Sequence, residues 1–325
     1  MTALQRTPDE RPQPLSHPAV LRAARRPLIW FVTDDDTPTL TASDGVLAAA
    51  LEQRCARVRV VSWQGAASWS WDVPRCDAAV IRSSWNYHRN LCAYRDWLDL
   101  CSAQDVPLSN SAALVRGNLD KSCLADLPHP GARTPPIVLL EQVDAVEIAL
   151  AMDERGWRKA VLKPRCGASG HGVMMIERHR LIEMPSSLVA DGPVLLQEFC
   201  PEVMDGEWSL VLVDGRFVHA VRKEPVSGEF RPNSRFAPRV RADRPTRRMI
   251  ADAEALVDAL PERALYARVD GVQRGDRLVV LELELNEPGL FLDHDPSGGA
   301  ARALASAILD RACRRVDPML ERKQS

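Results

Sequence analysis

Val279-Val280-Leu281-Glu282-Leu283-Glu284-Leu285-Asn286, followed by Glu287-Pro288-Gly289, is the stretch on which the fold assignment turns. A strand sends alternate side chains to opposite faces. Leu281, Leu283 and Leu285 then share a core face, and Glu282, Glu284 and Asn286 share the other. Two like charges on one face resist burial unless something positive neutralises them. Hard oxygen ligands favour Mg²⁺, which takes a few carboxylates together with the oxygens of a bound phosphate. The alternative is a solvated face on an edge strand.

The neighbouring segments bear on that choice. Leu265–Val269 reads as a strand carrying Asp270, and Arg274-Gly275-Asp276-Arg277 turns the chain back into the acidic strand. The hairpin brings Asp270 beside Glu282 or Glu284, directly or diagonally, so Asp270, Glu284 and Asn286 form a candidate metal triplet. Upstream, Asp214-Gly215 between two apolar runs is a hairpin signal, and its second arm delivers Arg222 and Lys223. Arg231 and Asn233 follow in Glu229-Phe230-Arg231-Pro232-Asn233. Further back, Lys163 ends a strand and leads into Gly167-Ala168-Ser169-Gly170-His171-Gly172, whose backbone N–H groups can wrap anionic oxygens. The loop lacks the Gly-Lys-Ser/Thr of a Walker loop. Its glycines are misspaced for a dinucleotide fingerprint, and it enters a strand. A plain hairpin turn is the competing reading. Val194–Phe199 reads as another strand.

The amino-terminal third alternates strands and helices: Leu28–Val32, a helix over Ser43–Ala56 capped by Ser43 or Asp44, then Val58–Trp63 and Ala78–Ile81. That order predicts a parallel sheet covered on both faces. The third strand runs into Arg82-Ser83-Ser84-Trp85-Asn86-Tyr87. Because ligands bind beyond the carboxyl ends of such strands, Arg82, Ser83, Ser84, Trp85 and Tyr87 are candidate substrate contacts. A capping loop before the helix at about 91–103 is the alternative. Asn118 and Lys121 are expected on one face of a helix; alone, Lys121 reads as a surface lysine. Residues 1–26 are expected to be a disordered tail.

Bulk composition fits a protein of two or three domains, 46% hydrophobic and 26% charged. A net charge of −2 gives no reason to expect a nucleic-acid partner. The eight cysteines are scattered without a CxxC pair, which suggests neither zinc nor a disulfide framework and fits reduced thiols in the cytoplasm. No apolar run is long enough for a membrane span.

Taken in order, these features resemble the ATP-grasp superfamily over about residues 115–305. Within it, bacterial glutathione synthetases are the nearest likeness, through Gln197-Glu198-Phe199-Cys200-Pro201, Asp205-Gly206-Glu207 and Glu229–Asn233. Arg82–Tyr87 also resembles the D-cycloserine-forming cyclo-ligases. The resemblance implies an α/β (α+β ATP-grasp) fold: a pre-ATP-grasp parallel-sheet domain over 27–114, a lid subdomain over 115–195 and a carboxy-terminal catalytic subdomain over 196–320. It implies ATP and two Mg²⁺ ions, with Mn²⁺ able to replace them. Lys121 and Lys163 would contact the phosphates and the adenine side, and Gly167, Ala168, Ser169 and Gly170 would close over the phosphates. Gln197, Glu198 and Phe199 would line the adenine pocket, and Glu207 would hold the ribose. Arg222, Arg231 and Asn233 would face the γ-phosphate and acyl phosphate, and Asp270, Glu284 and Asn286 would bind metal. The expected activity is carboxylate–amine ligation through an acyl phosphate, on a small amino acid or peptide, by a cytoplasmic homodimer. A kinase-like enzyme and a non-catalytic ATP-binding module are the alternatives.

Overall fold

The computed structural model describes residues 26–65, 76–183 and 192–321. The expected amino-terminal tail lies outside the described residues, apart from Arg26. Among the described residues the chain forms three sheets, two of four strands and one of five.

The first sheet is parallel, as the alternation of elements predicts. β1 (Leu28–Thr33) is buried along its whole length and pairs with β2 (Arg57–Ser62) on one side and β3 (Ala78–Ile81) on the other. β4 (Leu108–Ser109) closes the far edge beside β3. Helix α1 (Ala42–Glu52) connects β1 to β2 and ends four residues earlier than expected. Its cap is Thr41, whose hydroxyl accepts from Asp44 N, and not Ser43 or Asp44. α2 spans Leu91–Ala103, and α3 covers Ala112–Asn118. α3 stops at Asn118 and Lys121 opens a separate 3₁₀ turn over Lys121–Asp126, so these two residues do not share a helix face.

The small sheet is antiparallel: β5 (Ile137–Leu140), β6 (Lys159–Pro164), β7 (Met174–Glu177) and β8 (Val194–Glu198). Helix α4 (Ala145–Arg155) covers it, and Ile148, Met152, Leu162 and Leu196 meet in its own core. A division at 195/196 would cut β8, which is bonded to both β5 and β6, so the lid sheet runs on to Glu198.

The large sheet is also antiparallel: β9 (Glu207–Val213), β10 (Arg216–Glu224), β11 (Arg239–Ala242), β12 (Tyr266–Arg274) and β13 (Arg277–Glu284). The β9–β10 turn is built on Asp214 and Gly215, both at positive φ (51° and 76°). This is the backbone that Asp-Gly supplies in a two-residue hairpin. α5 (Arg247–Asp258) packs on one face. On the other face, α6 (Gly299–Glu321) joins α1: Leu304, Ala305 and Ile308 share a core with Leu47, Leu51, Phe31 and Val211. The parallel sheet and the large sheet therefore share one interior. Among the described residues no helix is long and apolar enough to cross a membrane.

Arg82, Ser83 and Ser84 belong to this framework. Arg82, 2% exposed, donates to Asp44 (2.7 Å) and to the Pro288 carbonyl (2.9 Å). Ser83 donates to Asp44 at 2.7 Å, and Ser84 to the Val32 carbonyl. None of the three lines the clefts described below. Their expected role as substrate contacts is corrected to that of a buried tie between α1, β3 and the tail of β13. Hydroxyl and guanidinium groups that find partners inside the fold are withdrawn from ligand.

Burial disfavours the charged form of Asp44, but the Arg82 guanidinium outweighs it and holds the carboxyl below the usual carboxylate range. Asp44→Ala leaves a buried guanidinium unpaired, a change that costs about 3–5 kcal/mol; urea unfolding should show a lower midpoint. Because the folded-state pKa is depressed, the pair's contribution is complete above the ordinary Asp value near ~3.9. It is lost as pH falls through the folded value, so the Asp44→Ala deficit should shrink in acid.

Candidate active site

Two adjoining cavities, of about 390 and 100 Å³, form one cleft between the small and large sheets. They share Gly170, Lys223, Asn233, Arg268 and Glu282 among their walls.

The acidic strand forms its floor. Carboxylate oxygens of Asp270, Glu282 and Glu284 lie within 4.8 Å of one another. The hairpin register creates this group. Val272 faces Val279 and Gly271 faces Val280, but Asp270 faces Glu282, because Leu281 is an extra residue in β13. An unbroken ladder would set Asp270 against Leu281 and put Glu282 opposite Val269, on the apolar face that Val280 and Leu283 share. Gly271 makes the bulge passable: a Cβ there would press on the Val279 carbonyl and the Leu278 side chain.

Four cations meet these carboxylates. Lys121 Nζ and Lys163 Nζ lie 3.6 and 3.5 Å from Glu282. Arg268 Nη2 lies 2.8 Å from Asp270 and 2.7 Å from Glu284. Lys223 Nζ is 2.5 Å from Glu207 and 3.8 Å from Asp270. The consequences for charge differ. Burial raises every carboxyl, but Lys121 and Lys163 hold Glu282 well below its ordinary range. Arg268 and Lys223 hold Asp270 low in the same way. Glu284 stays raised by burial, with Asp270 and Glu282 adding repulsion. Burial and the nearby Glu284 push Glu287 up to about 8.

Asn286 closes the row. Its Oδ1 accepts from Tyr94 (2.7 Å), while its buried Nδ2 has no partner among the described residues. Asn118 fixes the strand end from below, donating to the Leu283 carbonyl and accepting from Leu285 N. An all-oxygen donor set of carboxylates and an amide suits a hard divalent cation.

The roof is the glycine loop. Gly167, Ala168, Ser169 and Gly170 line the larger cavity. The loop is clasped on both sides. The Tyr87 hydroxyl donates to the Gly167 carbonyl at 3.4 Å, and the His88 and His171 rings stand 5.4 Å apart. On the other side Arg231 donates to the Val173 carbonyl and lies 3.8 Å over the Phe236 ring. Arg231 is also paired with Glu229 at 2.8 Å. The smaller cavity is lined by Lys163, Gln197, Glu198, Phe199 and Glu207. Gln197 is buried, and its Nε2 lacks a partner among the described residues. Trp85 and Tyr87 line the larger cavity, and Trp85 Nε1 donates to the Glu287 carbonyl.

Arg222 is the exception. Its guanidinium donates to the Asp205 carbonyl, lies 5.7 Å over the Trp208 ring, and lines neither cavity. Lys223 takes the cleft position instead. The cause is a second bulge: Phe217 faces Leu212 and His219 faces Val211, so Val218 is an extra residue in β10. That one residue exchanges the faces of every later side chain. It sets Lys223 opposite Glu207 and Arg222 opposite Trp208.

Among the cleft residues, Glu282 falls outside the expected metal triplet although it lies on the expected acidic face, and Arg268, Lys223 and Phe291 were given no expected role. Arg268 stands two residues before Asp270, so strand alternation places it on the acidic face. Phe291, at φ 51°, holds its ring 5.7 Å from Arg268 and 6.0 Å from Lys223. Nothing in the local sequence of Phe291 announces that position.

Both parts of the chain match known families. Residues 29–110 match the amino-terminal domain of D-cycloserine synthetase DcsG, and residues 134–279 match the ATP-grasp domain of prokaryotic glutathione synthetase. The second match ends before Glu282. Among curated proteins, glutathione synthetase of Synechococcus elongatus is 33% identical over 150 residues, 45% of this chain and 44% of that protein. That of Thermosynechococcus vestitus is 33% identical over 174 residues, 52% of each. The chain thus spans about half the length of these relatives. Among solved structures, D-cycloserine synthetase DcsG superposes with a TM-score of 0.75 at 26% identity, over 88% of this chain and 99% of its own. The D-alanine–D-alanine ligase of Bacillus anthracis, solved with ATP, superposes at 0.63 with 17% identity, over 90% and 99%, and speaks for the fold alone.

The bulge at Gly271 gives a test of the floor. Gly271→Ala should destabilise by about 1–3 kcal/mol, as overpacking does, seen as a lower melting temperature in calorimetry. Gly45→Ala in α1, where the backbone is helical and space around the Cβ is open, should cost less than the Gly271 change.

Proposed function

We propose that this chain, an ATP-grasp protein by fold and by its likeness to known synthetases, is an ATP-dependent carboxylate–amine ligase. The observation that carries this reading is the cluster of Asp270, Glu282 and Glu284 facing the glycine loop across one cleft.

ATP would lie along that cleft. Its adenine would enter the smaller cavity, where the free Gln197 Nε2 offers a hydrogen bond and Phe199 an aromatic wall. Glu198 and Glu207 lie nearby for the amino group and the ribose. The phosphates would run beneath Gly167–Gly170 toward Lys121 and Lys163. Asp270, Glu282, Glu284 and Asn286 would hold divalent magnesium, which supplies charge neutralisation at the phosphate oxygens.

The reaction has two stages. A substrate carboxylate attacks the γ-phosphorus, forming an acyl phosphate and expelling ADP. An amine then attacks the acyl carbon and expels phosphate. Positioned charge contributes most of the rate in such chemistry. Arg268 and Lys223, held against buried carboxylates and the Phe291 ring, are placed to meet the charge that grows on the transferred group. Asn233 contributes an amide at the junction of the two cavities. The glycine loop excludes water that would hydrolyse the acyl phosphate. The substrate is a small amino acid or peptide, taken up by the end of the cleft formed by Thr41, Ser43, Trp85 and Asp293.

Amino acids and short peptides added with ATP and Mg²⁺ should give ADP and a new amide, detected by coupled assay and mass spectrometry. ADP with a stable phosphorylated product would mean a kinase instead. Chelation with EDTA should abolish turnover. Lys223→Met should lower the rate on the order of 10²–10³-fold, by comparison with loss of a single oxyanion donor. Arg222→Met, on the far face, should change it only a few-fold; the reverse order would remove Lys223 from the site.

A further inference from the structure

A separate cavity of about 430 Å³ opens at the carboxyl ends of β1 and β3. β2 lies on one side of β1 and β3 on the other, so the connections leaving β1 and β3 diverge there. Open α/β sheets bind ligands in such a crevice. Its polar frame is already set. Asp34, 1% exposed, accepts Asn86 N on Oδ2 at 2.8 Å, while its buried Oδ1 has no hydrogen-bond partner among the described residues. Asn86 Nδ2 reaches Asp36 at 3.3 Å, and Arg89 pairs with Asp36 at 2.6 Å. A buried acceptor without a donor is costly, and a ligand N–H would remove that cost.

The crevice adjoins the ATP cleft. Trp85, Ser169 and His171 line both, and the last two belong to the glycine loop. Arg235 stands at its outer side. The walls therefore combine carboxylates, imidazoles and an exposed guanidinium, a set that suits a small molecule carrying an ammonium and an acidic end.

We propose that this crevice binds the amine co-substrate, an amino-acid-sized primary amine, so that the enzyme joins two molecules and does not close one into a ring. The proposal rests on the ligase reading and assigns the side from which its nucleophile comes. The ammonium sits against Asp34 and Asp36, with its acidic end toward Arg235. The ammonium first gives one proton to solvent in the crevice, and past Trp85 and His171 the freed amine meets the acyl phosphate. Its lone pair forms the C–N bond, the acyl C–O bond breaks, phosphate leaves with that electron pair, and the nitrogen loses a proton to solvent. A cyclising enzyme carries its nucleophile inside the activated molecule and has no use for a polar crevice on the far side of the lid.

Calorimetry on the full chain with Mg²⁺ and AMPPNP tests this, with the proteinogenic amino acids and their D enantiomers as probes. At least one probe should bind. Asp34→Asn and Asp36→Asn should each weaken it tenfold or more while AMPPNP affinity stays within twofold. The Asp36–Arg89 pair is solvent-exposed, 56% and 68%, and contributes little to stability, so Asp36→Asn serves if the Asp34 variant fails to fold. AMPPNP binding with no probe bound overturns the crevice assignment, as does probe binding that both variants leave unchanged. A turnover product weighing one substrate less one water also overturns it. Absence of AMPPNP binding in the unmutated chain would remove the ligase reading and this proposal together.

Discussion

One inserted residue in β13 governs the chemistry of the cleft. Without Leu281 as a bulge, Asp270 would face Leu281, and Glu282 would fall opposite Val269 on the apolar face, with Glu284 following it. With the bulge, three carboxylates and a guanidinium converge on one surface. A second inserted residue, Val218, performs the same service in β10, turning Lys223 inward and Arg222 outward. Side-chain period two makes a sheet unforgiving of register. The same property lets a single insertion choose which charges a site contains.

The second constraint is electrostatic. Removing several carboxylates from water is expensive unless each is met by a positive group. Arg268, Lys223, Lys121 and Lys163 meet them here, from β12, β10, the turn after α3 and β6 respectively. Each sheet of the cleft supplies part of the compensation, so the charge pattern holds the lid sheet and the large sheet in register with one another. Glu284 and Glu287 are the least compensated, which is why burial dominates their protonation.

Much of this was legible in the sequence because it is local. Alternation in Leu281–Asn286 gave the acidic face, Asp214-Gly215 the hairpin, and the strand–helix order the parallel sheet. Gly167–Gly170, Gln197, Lys121 and Lys163 all line the cleft. What escaped is non-local. Bulges leave no mark in a hydrophobic pattern, so the sequence does not reveal that Lys223 and not Arg222 faces the cleft. Arg82, Ser83 and Ser84 look like ligand groups until Asp44 and the Pro288 carbonyl, from distant parts of the chain, are seen to occupy them. Phe291 owes its place to a left-handed backbone that the surrounding fold imposes.

The shared interior of the parallel sheet, α1, α6 and the large sheet has a mechanical consequence. These parts are welded by Leu47, Leu304, Ile308 and Val211, whereas the small sheet keeps a private interior around Ile148 and Leu196. Rocking the small sheet parts a few contacts, such as Ile137 on the large-sheet core and Ala168 on the parallel-sheet core, while prying the other two apart would open a whole shared interior. Soft motion is therefore confined to a single hinge, and the jaw that swings is the one bearing the glycine loop.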